Sequence, residues 1–154
     1  MRVKTNRRLI LLVSAVGLAA VGAFSLYFVR GWQKERMTNE FFARGQEEFK
    51  AGQYYRSLND TAQFLSRVKS RVRNTPDKAL EAKYVDALYA YAESRRLIEE
   101  PDGQKNIREA IPFYQQYREY RPDDAKTTLT LLQSLNQVGL STEARDLALK
   151  SFPK

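Results

Sequence analysis

The chain contains no cysteine and no histidine, and these two absences exclude much chemistry. Without histidine, it lacks the usual general base at neutral pH and the commonest metal ligand. Without cysteine, it has no thiol nucleophile, disulfide or zinc-thiolate site. The sequence also has no glycine-rich phosphate loop, no carboxylate cluster at metal spacing and no nucleophile elbow. We therefore expect a protein that is not an enzyme, with no catalytic residue, no cofactor and no metal site.

The formal net charge of +8 is distributed unevenly along the 154 residues. Residues 1–8 hold four of the 26 basic residues and no acid, so the rest of the chain carries 22 basic and 18 acidic residues. A basic head directly before an apolar run is typical of a membrane protein rather than of a nucleic-acid-binding protein. We therefore expect no nucleic acid among the partners.

The apolar run extends over residues 9–29 and contains no charged residue. As a helix it would span roughly 31 Å, about the thickness of the hydrocarbon core of a bilayer. We therefore predict a transmembrane helix over residues 9–29, with Leu9, Val29 and the interfacial Trp32 as anchor residues. A cleaved signal peptide is the alternative, because small residues occur near Gly22, although the apolar run continues beyond them.

The basic residues before the span favour an N-terminus in the cytoplasm and a C-terminal domain on the far side. The sequence thus predicts a single-pass membrane protein, located in a bacterial inner membrane with a periplasmic or exoplasmic domain. The predicted segments are a basic cytoplasmic head over 1–8, the span over 9–29, a linker over 30–37 and a helical domain over 38–153.

The helical domain shows apolar residues at helical spacing and no strand pattern. The clearest example is the series Leu80, Tyr84, Leu88 and Tyr91. Prolines and glycines interrupt the pattern at intervals that separate six helices. We expect these helices to form three antiparallel pairs, in units of about 38–73, 77–121 and 124–152.

Ala110 and Ala144 lie 34 residues apart, near the starts of two similar helical patterns. This spacing is the period of a helix–turn–helix repeat. The residues that carry the pattern are Gly45, Gly52, Tyr54 and Ser57 in the first unit, Tyr84, Leu88, Ala110, Tyr114, Tyr117 and Pro122 in the second, and Leu131, Leu132, Gly139, Ala144 and Ala148 in the third. Residues 38–153 therefore resemble the tetratricopeptide repeat family. The resemblance implies an all-α fold in which one transmembrane helix precedes three antiparallel helix pairs that form a short right-handed α-solenoid.

The resemblance further implies that the first helix of each pair lines a groove for an extended peptide or a partner helix. The groove residues carried over are Asn39, Phe42, Gln46, Phe49 and Lys50 in the first unit, Val85 and Tyr89 in the second, and Lys126, Leu129, Gln133 and Asn136 in the third. Their rings favour an aromatic-lined groove. The alternative is that these rings pack against neighbouring helices as part of the core.

Two functions are compatible with this layout. The first is a membrane-anchored scaffold that binds other proteins at the membrane surface. The alternative is a single-pass structural subunit of a large membrane protein complex, in which the helical stack clamps extrinsic subunits. In both cases the expected partners are proteins, possible membrane complexes included, and the lipid bilayer through residues 9–29. No small-molecule substrate is expected.

Overall fold

The computed structural model describes residues 7–98 and 103–152, and for residues 7–23, Leu26 and Gly103 it describes the backbone alone. Within these ranges the chain forms six α-helices and no strand, so the expected all-α class is confirmed. The helices are α1 (Arg7–Lys50), α2 (Tyr54–Asn74), α3 (Lys78–Leu97), α4 (Gly103–Tyr120), α5 (Ala125–Gln137) and α6 (Ser141–Ser151).

The N-terminal apolar run is not a separate helix, because residues 9–29 belong to α1, which continues to Lys50. Residues 30–37, predicted to be a linker, are helical and carry several charged side chains. Among the described residues, no helix is long and apolar enough to cross a membrane. The predicted transmembrane helix over residues 9–29 and the predicted single-pass location in a bacterial inner membrane are therefore wrong.

The chain divides into two compact units, Met1–Met37 and Thr38–Lys154. In the first unit, Val29 and Trp32 are 46% and 58% exposed, and the Arg36 guanidinium lies 5.7 Å from the centroid of the Trp32 ring. The side chain of Leu9 and residues 1–6 of the predicted basic head lie outside the described part of the chain. The second unit contains the helical stack.

Two hairpins of the stack turn through the same backbone geometry. Gly52 and Gly139 have φ angles of +73° and +83°, which favour glycine because a Cβ atom would be strained there. After Gly52, the Gln53 amide donates to the Glu48 carbonyl at 2.8 Å, and after Gly139, the Leu140 amide donates to the Leu135 carbonyl at 2.8 Å. These bonds close the ends of α1 and α5 as Schellman motifs. The turns predicted at both glycines are confirmed.

The first hairpin pairs the C-terminal part of α1 with α2 in antiparallel orientation. The Ser57 hydroxyl donates to the Gly45 carbonyl at 2.9 Å, near the turn. Further from the turn, the rings of Phe42 and Phe64 pack with centroids 5.1 Å apart. Gly45 allows this close approach, because a Cβ atom at this position would lie 2.8 Å from the Thr61 methyl group.

The second hairpin pairs α3 with α4, also in antiparallel orientation. Asp77 caps α3 by accepting hydrogen bonds from the amides of Ala79 and Leu80, both at 3.0 Å. The predicted break at Pro101 lies outside the described residues. The buried Asn106 lies inside α4, where its amide donates to the Ile98 carbonyl at 3.3 Å, so it joins the ends of the two helices.

The core continues from one hairpin to the next. One apolar cluster joins α2 and α3, and it contains Phe64, Leu65, Val68, Tyr84, Ala87 and Leu88. A second cluster joins α3 to α6, and it contains Ala92, Ala110, Ile111, Tyr114, Leu131, Leu135, Val138 and Ala144. A single hairpin cannot bury its own apolar face, so each pair is stabilised by packing on its neighbour. The second unit is thus a repeat-like stack of helical hairpins.

Candidate functional site

A pocket of about 270 Å³ opens on the face of the stack formed mainly by α1, α3 and α5, the first helices of the three pairs. We call it the inner groove. Its lining residues are Gln46, Phe49 and Lys50 of α1, Asp86 and Tyr89 of α3, Tyr117 of α4, and Asp124, Lys126 and Thr127 at the start of α5.

Three aromatic rings cross the inner groove in contact with one another. The centroids of Phe49 and Tyr89 lie 6.1 Å apart with the rings nearly perpendicular, at 88°. The centroids of Tyr89 and Tyr117 lie 5.6 Å apart at 49°. Each such pair contributes about 0.5–1.5 kcal/mol beyond the burial of its area. We call these three residues the ring row, and it joins α1, α3 and α4 into one surface.

The two ends of the inner groove are held by polar contacts. At one end, the Gln46 side-chain amide donates to the Asp86 carbonyl at 3.3 Å and joins α1 to α3. At the other end, the Tyr117 hydroxyl donates to Asp124 Oδ2 at 2.9 Å. Asp124 also accepts from the Thr127 hydroxyl at 2.8 Å and from the Thr127 amide at 3.1 Å, so it caps α5.

These contacts fix the protonation states of the two groups. Burial alone would raise the pKa of Asp124, but the hydrogen bonds from Thr127 and Tyr117 stabilise the carboxylate and lower the pKa overall. Burial and the hydrogen bond to Asp124 raise the pKa of Tyr117 to about 12. At neutral pH, Asp124 is therefore ionised with its acceptor capacity largely occupied, and Tyr117 is a neutral donor.

The charged groups that remain at the rim are Lys50, Asp86 and Lys126, and all three residues are exposed. Burial and the charge of Glu93 raise the pKa of Tyr89, so its ring carries a neutral hydroxyl. The site therefore combines an aromatic floor with exposed charged side chains at its edge. This composition suits the binding of an amphipathic surface.

An ion pair within α3, between Glu93 and the partly exposed Arg96, lies near Tyr89 of the ring row. Glu93 is 5% exposed, and its Oε2 accepts from Arg96 Nη2 at 2.6 Å and from Arg96 Nε at 3.2 Å. Arg96 Nε also donates to the hydroxyl of the fully buried Tyr114 at 3.2 Å. Burial, and then the charge of Glu93, raise the pKa of Tyr114 far above its ordinary value. The hydrogen bond from Arg96 to Tyr114 thus joins α3, which carries Tyr89, to α4, which carries Tyr117.

Five of the predicted groove residues line the inner groove together, namely Gln46, Phe49, Lys50, Tyr89 and Lys126. Asn39 and Phe42 lie nearer the start of the second unit. There Lys83 Nζ donates to Asn39 Oδ1 at 2.9 Å and lies 5.9 Å from the centroid of the Phe42 ring. The ring of Phe42 packs on Phe64, so it belongs partly to the core.

The other predicted residues do not line this pocket. Val85 is 3% exposed and does not line the pocket, whereas its neighbour Asp86 does. Leu129, Gln133 and Asn136 are exposed on α5 but do not contribute to the lining.

Sequence reasoning missed four lining residues, and each omission has an identifiable cause. Tyr117 lies on α4, the second helix of its pair, and was assigned to the core. Asp124 and Thr127 lie at the start of α5 and were not counted among the groove residues, although an aspartate directly before a helix is a recognisable N-cap signal. Asp86 was missed because the register assigned to α3 placed Val85 on the groove side.

Comparisons with known proteins found no match. No protein-family model matches the chain, and no curated protein and no solved structure is similar to it. The likeness to tetratricopeptide repeats therefore rests on the residues quoted from the sequence, and the family remains a prediction.

Proposed function

We propose that this chain is a helical-repeat scaffold that binds a segment of another protein in the inner groove. The observation that carries the proposal is the ring row of Phe49, Tyr89 and Tyr117, which lines an open pocket instead of being fully enclosed. Aromatic residues with one accessible side are typical anchors of protein interfaces.

The size of the pocket favours a side chain of a partner protein over a free small molecule. Its volume of about 270 Å³ lies just below the range of about 300–1,000 Å³ that is usual for small-molecule sites. One large apolar side chain fills a space of this size. The partner would place that side chain on the ring row and lay the rest of its segment along α1, α3 and α5.

The charged residues at the rim indicate which charge the partner segment should carry beside its apolar anchor. Lys50 and Lys126 contribute two positive charges at opposite walls of the pocket, and Asp86 contributes one negative charge. Asp124 is already engaged by Tyr117 and Thr127. A segment with a carboxylate beside its anchor would therefore match the groove better than a basic segment.

Site-specific photo-crosslinking tests this proposal in the cells that produce the protein. A photoreactive amino acid replaces Lys126 at the groove and, as a matched control, replaces the exposed Gln63 on α2. We expect a discrete protein adduct at position 126, and we expect Tyr89→Ala to reduce it. Equal crosslinking at both positions, or no adduct at position 126, would contradict the proposal.

A further inference from the structure

A second pocket, of about 310 Å³, lies on a different face of the stack and shares no lining residue with the inner groove. We call it the outer slot. Its lining residues are Ala62, Leu65, Ser66 and Lys69 of α2, Tyr84, Leu88 and Tyr91 of α3, and Phe113 and Gln116 of α4. The helices α2 and α4 each pack on α3, and within the described residues their own backbones do not come into close contact. The slot is therefore a trough with α2 and α4 as its walls and α3 as its floor.

The floor and walls of the outer slot are apolar and well packed. Tyr84 is 2% exposed and Leu88 is 1% exposed, so both are anchored in the core. The rings of Tyr91 and Phe113 are in contact, with centroids 4.2 Å apart. The Gln116 side-chain amide donates to the Tyr84 hydroxyl at 2.8 Å, which satisfies the polar groups at the base of the slot. Such a surface is complementary to an apolar group and provides little for a polar one.

The rim of the outer slot on the α2 side is positively charged. Lys69 lines the slot, and Arg73 follows one helical turn later on the same side of α2. Burial raises the pKa of Tyr84, and the positive charge of Arg73 partly opposes this rise, so Arg73 lies near Tyr84. No carboxylate lines the slot, and Glu119 is the acidic residue whose charge also reaches Tyr84. Two cations thus face one carboxylate at this end of the trough.

We propose that the outer slot binds an acidic amphipathic helix of a partner protein, with one large apolar side chain seated between α2 and α4 and carboxylates directed at Lys69 and Arg73. The apolar trough between two helices has the form of a helix-in-groove site. The positively charged rim favours a partner helix that carries negative charge. This inference concerns a surface separate from the inner groove, and it stands without the function proposed above.

The test uses the full-length chain and two synthetic helical peptides of about five turns. One peptide has a central tryptophan on its apolar face and glutamates flanking that face. Its twin has lysine in place of every glutamate. Fluorescence anisotropy measures the affinity of each labelled peptide. We expect the glutamate peptide to bind at least about tenfold more tightly than the lysine peptide.

Three variants locate the binding on the chain. Lys69→Glu combined with Arg73→Glu should weaken the binding of the glutamate peptide by about tenfold or more. Ser66→Trp, at an exposed position of the slot, should block binding by filling the trough. The matched control is Arg145→Glu combined with Lys150→Glu, which changes the net charge equally at two exposed positions of α6 that line neither pocket, and it should retain most of the affinity. Circular dichroism verifies that each variant is folded.

Four outcomes would overturn the inference. They are the absence of binding by the glutamate peptide, equal binding of both peptides, unchanged binding by the Ser66→Trp variant, and an equal loss of affinity in the control pair. Because the inner groove is tested by crosslinking at position 126, failure of one proposal can be told from failure of the other.

Discussion

The hydroxyl of Ser57 donates a hydrogen bond to the carbonyl of Gly45 at 2.9 Å, where α1 and α2 approach closely. Ser57 is fully buried, and its hydroxyl oxygen also accepts from the Ser94 hydroxyl at 3.1 Å. These two hydrogen bonds connect α1, α2 and α3, so they hold the first hairpin in place against the second. The ring row depends on that position, because Phe49 and Tyr89 come from α1 and α3.

Replacement of Gly45 by alanine should destabilise the stack. The new Cβ atom would lie 2.8 Å from the Thr61 methyl group and 3.1 Å from the Thr61 amide nitrogen, so the helices must move apart. We expect a loss of about 1–3 kcal/mol in the free energy of unfolding, measured by urea denaturation. Gly31→Ala is the matched control, because no atom lies within 4 Å of a Cβ there, and it should be neutral or slightly stabilising. Equal stability of the two variants would refute the role of the close approach.

Replacement of Asp124 by alanine should cost about 1–2 kcal/mol at neutral pH, because the cap of α5 and the partner of Tyr117 are both lost. The folded-state pKa of Asp124 is lower than its ordinary value of 3.8, so the carboxylate stabilises the fold above that value. The contribution is lost as the pH falls through the lower, folded-state pKa. The difference in unfolding free energy between wild type and variant should therefore shrink below pH 3.8.

The neighbouring Asp123→Ala is the control for this experiment, since Asp123 is exposed and Asp124 is the residue that caps the helix. It should leave the unfolding free energy nearly unchanged at every pH. A difference between wild type and Asp124→Ala that persists undiminished at low pH would contradict the assigned role of the carboxylate.

Replacement of Arg96 by methionine should be strongly destabilising, because it leaves the buried carboxylate of Glu93 without its partner. We expect a cost of about 3 kcal/mol, at the lower end of the usual range, since Arg96 itself is partly exposed. The double variant Glu93→Leu and Arg96→Met should recover most of that loss. Arg95→Met removes a more exposed pair with Glu109 and should cost less than about 1 kcal/mol. Thermal or urea unfolding of the four proteins distinguishes these cases.

Much of the stack could be predicted from local sequence signals. Gly52 and Gly139 mark the two tight turns because the backbone there requires a positive φ. The spacing of Tyr84, Leu88 and Tyr91 places one face of α3 in the core, and Tyr84 and Leu88 are indeed buried. Such features depend on residues close together in the chain, so they can be predicted from the sequence alone.

Features that depend on tertiary contacts were predicted less well. Asn106 is buried within α4 and hydrogen-bonded to the Ile98 carbonyl, a contact that no spacing in the sequence indicates. Phe64 was not among the residues that carry the predicted repeat pattern, although it is fully buried. In both cases the partner residue lies on another helix or at its end, and periodicity alone cannot identify it.

In the inner groove, too, some residues could be predicted from the sequence, whereas others depend on tertiary contacts. Phe49 and Lys50 were predicted because the resemblance to tetratricopeptide repeats assigns the groove to the first helix of each pair. Tyr117 could not be assigned to the groove, since its position depends on how α4 packs against α3 and on the hydrogen bond to Asp124. The prediction of a membrane span was wrong, since no helix among the described residues is long and apolar enough to cross a membrane.

The affinity of the crosslinked partner segment for the purified chain is the most direct test of the inner groove as a protein-binding site. The equilibrium Kd of that segment is compared between the wild type, Tyr89→Ala and the control Leu149→Ala, which changes an exposed residue of α6 that does not line the pocket. We predict that Tyr89→Ala weakens binding by at least about tenfold while Leu149→Ala leaves it unchanged. A folded Tyr89→Ala variant that binds as tightly as the wild type would contradict the proposal.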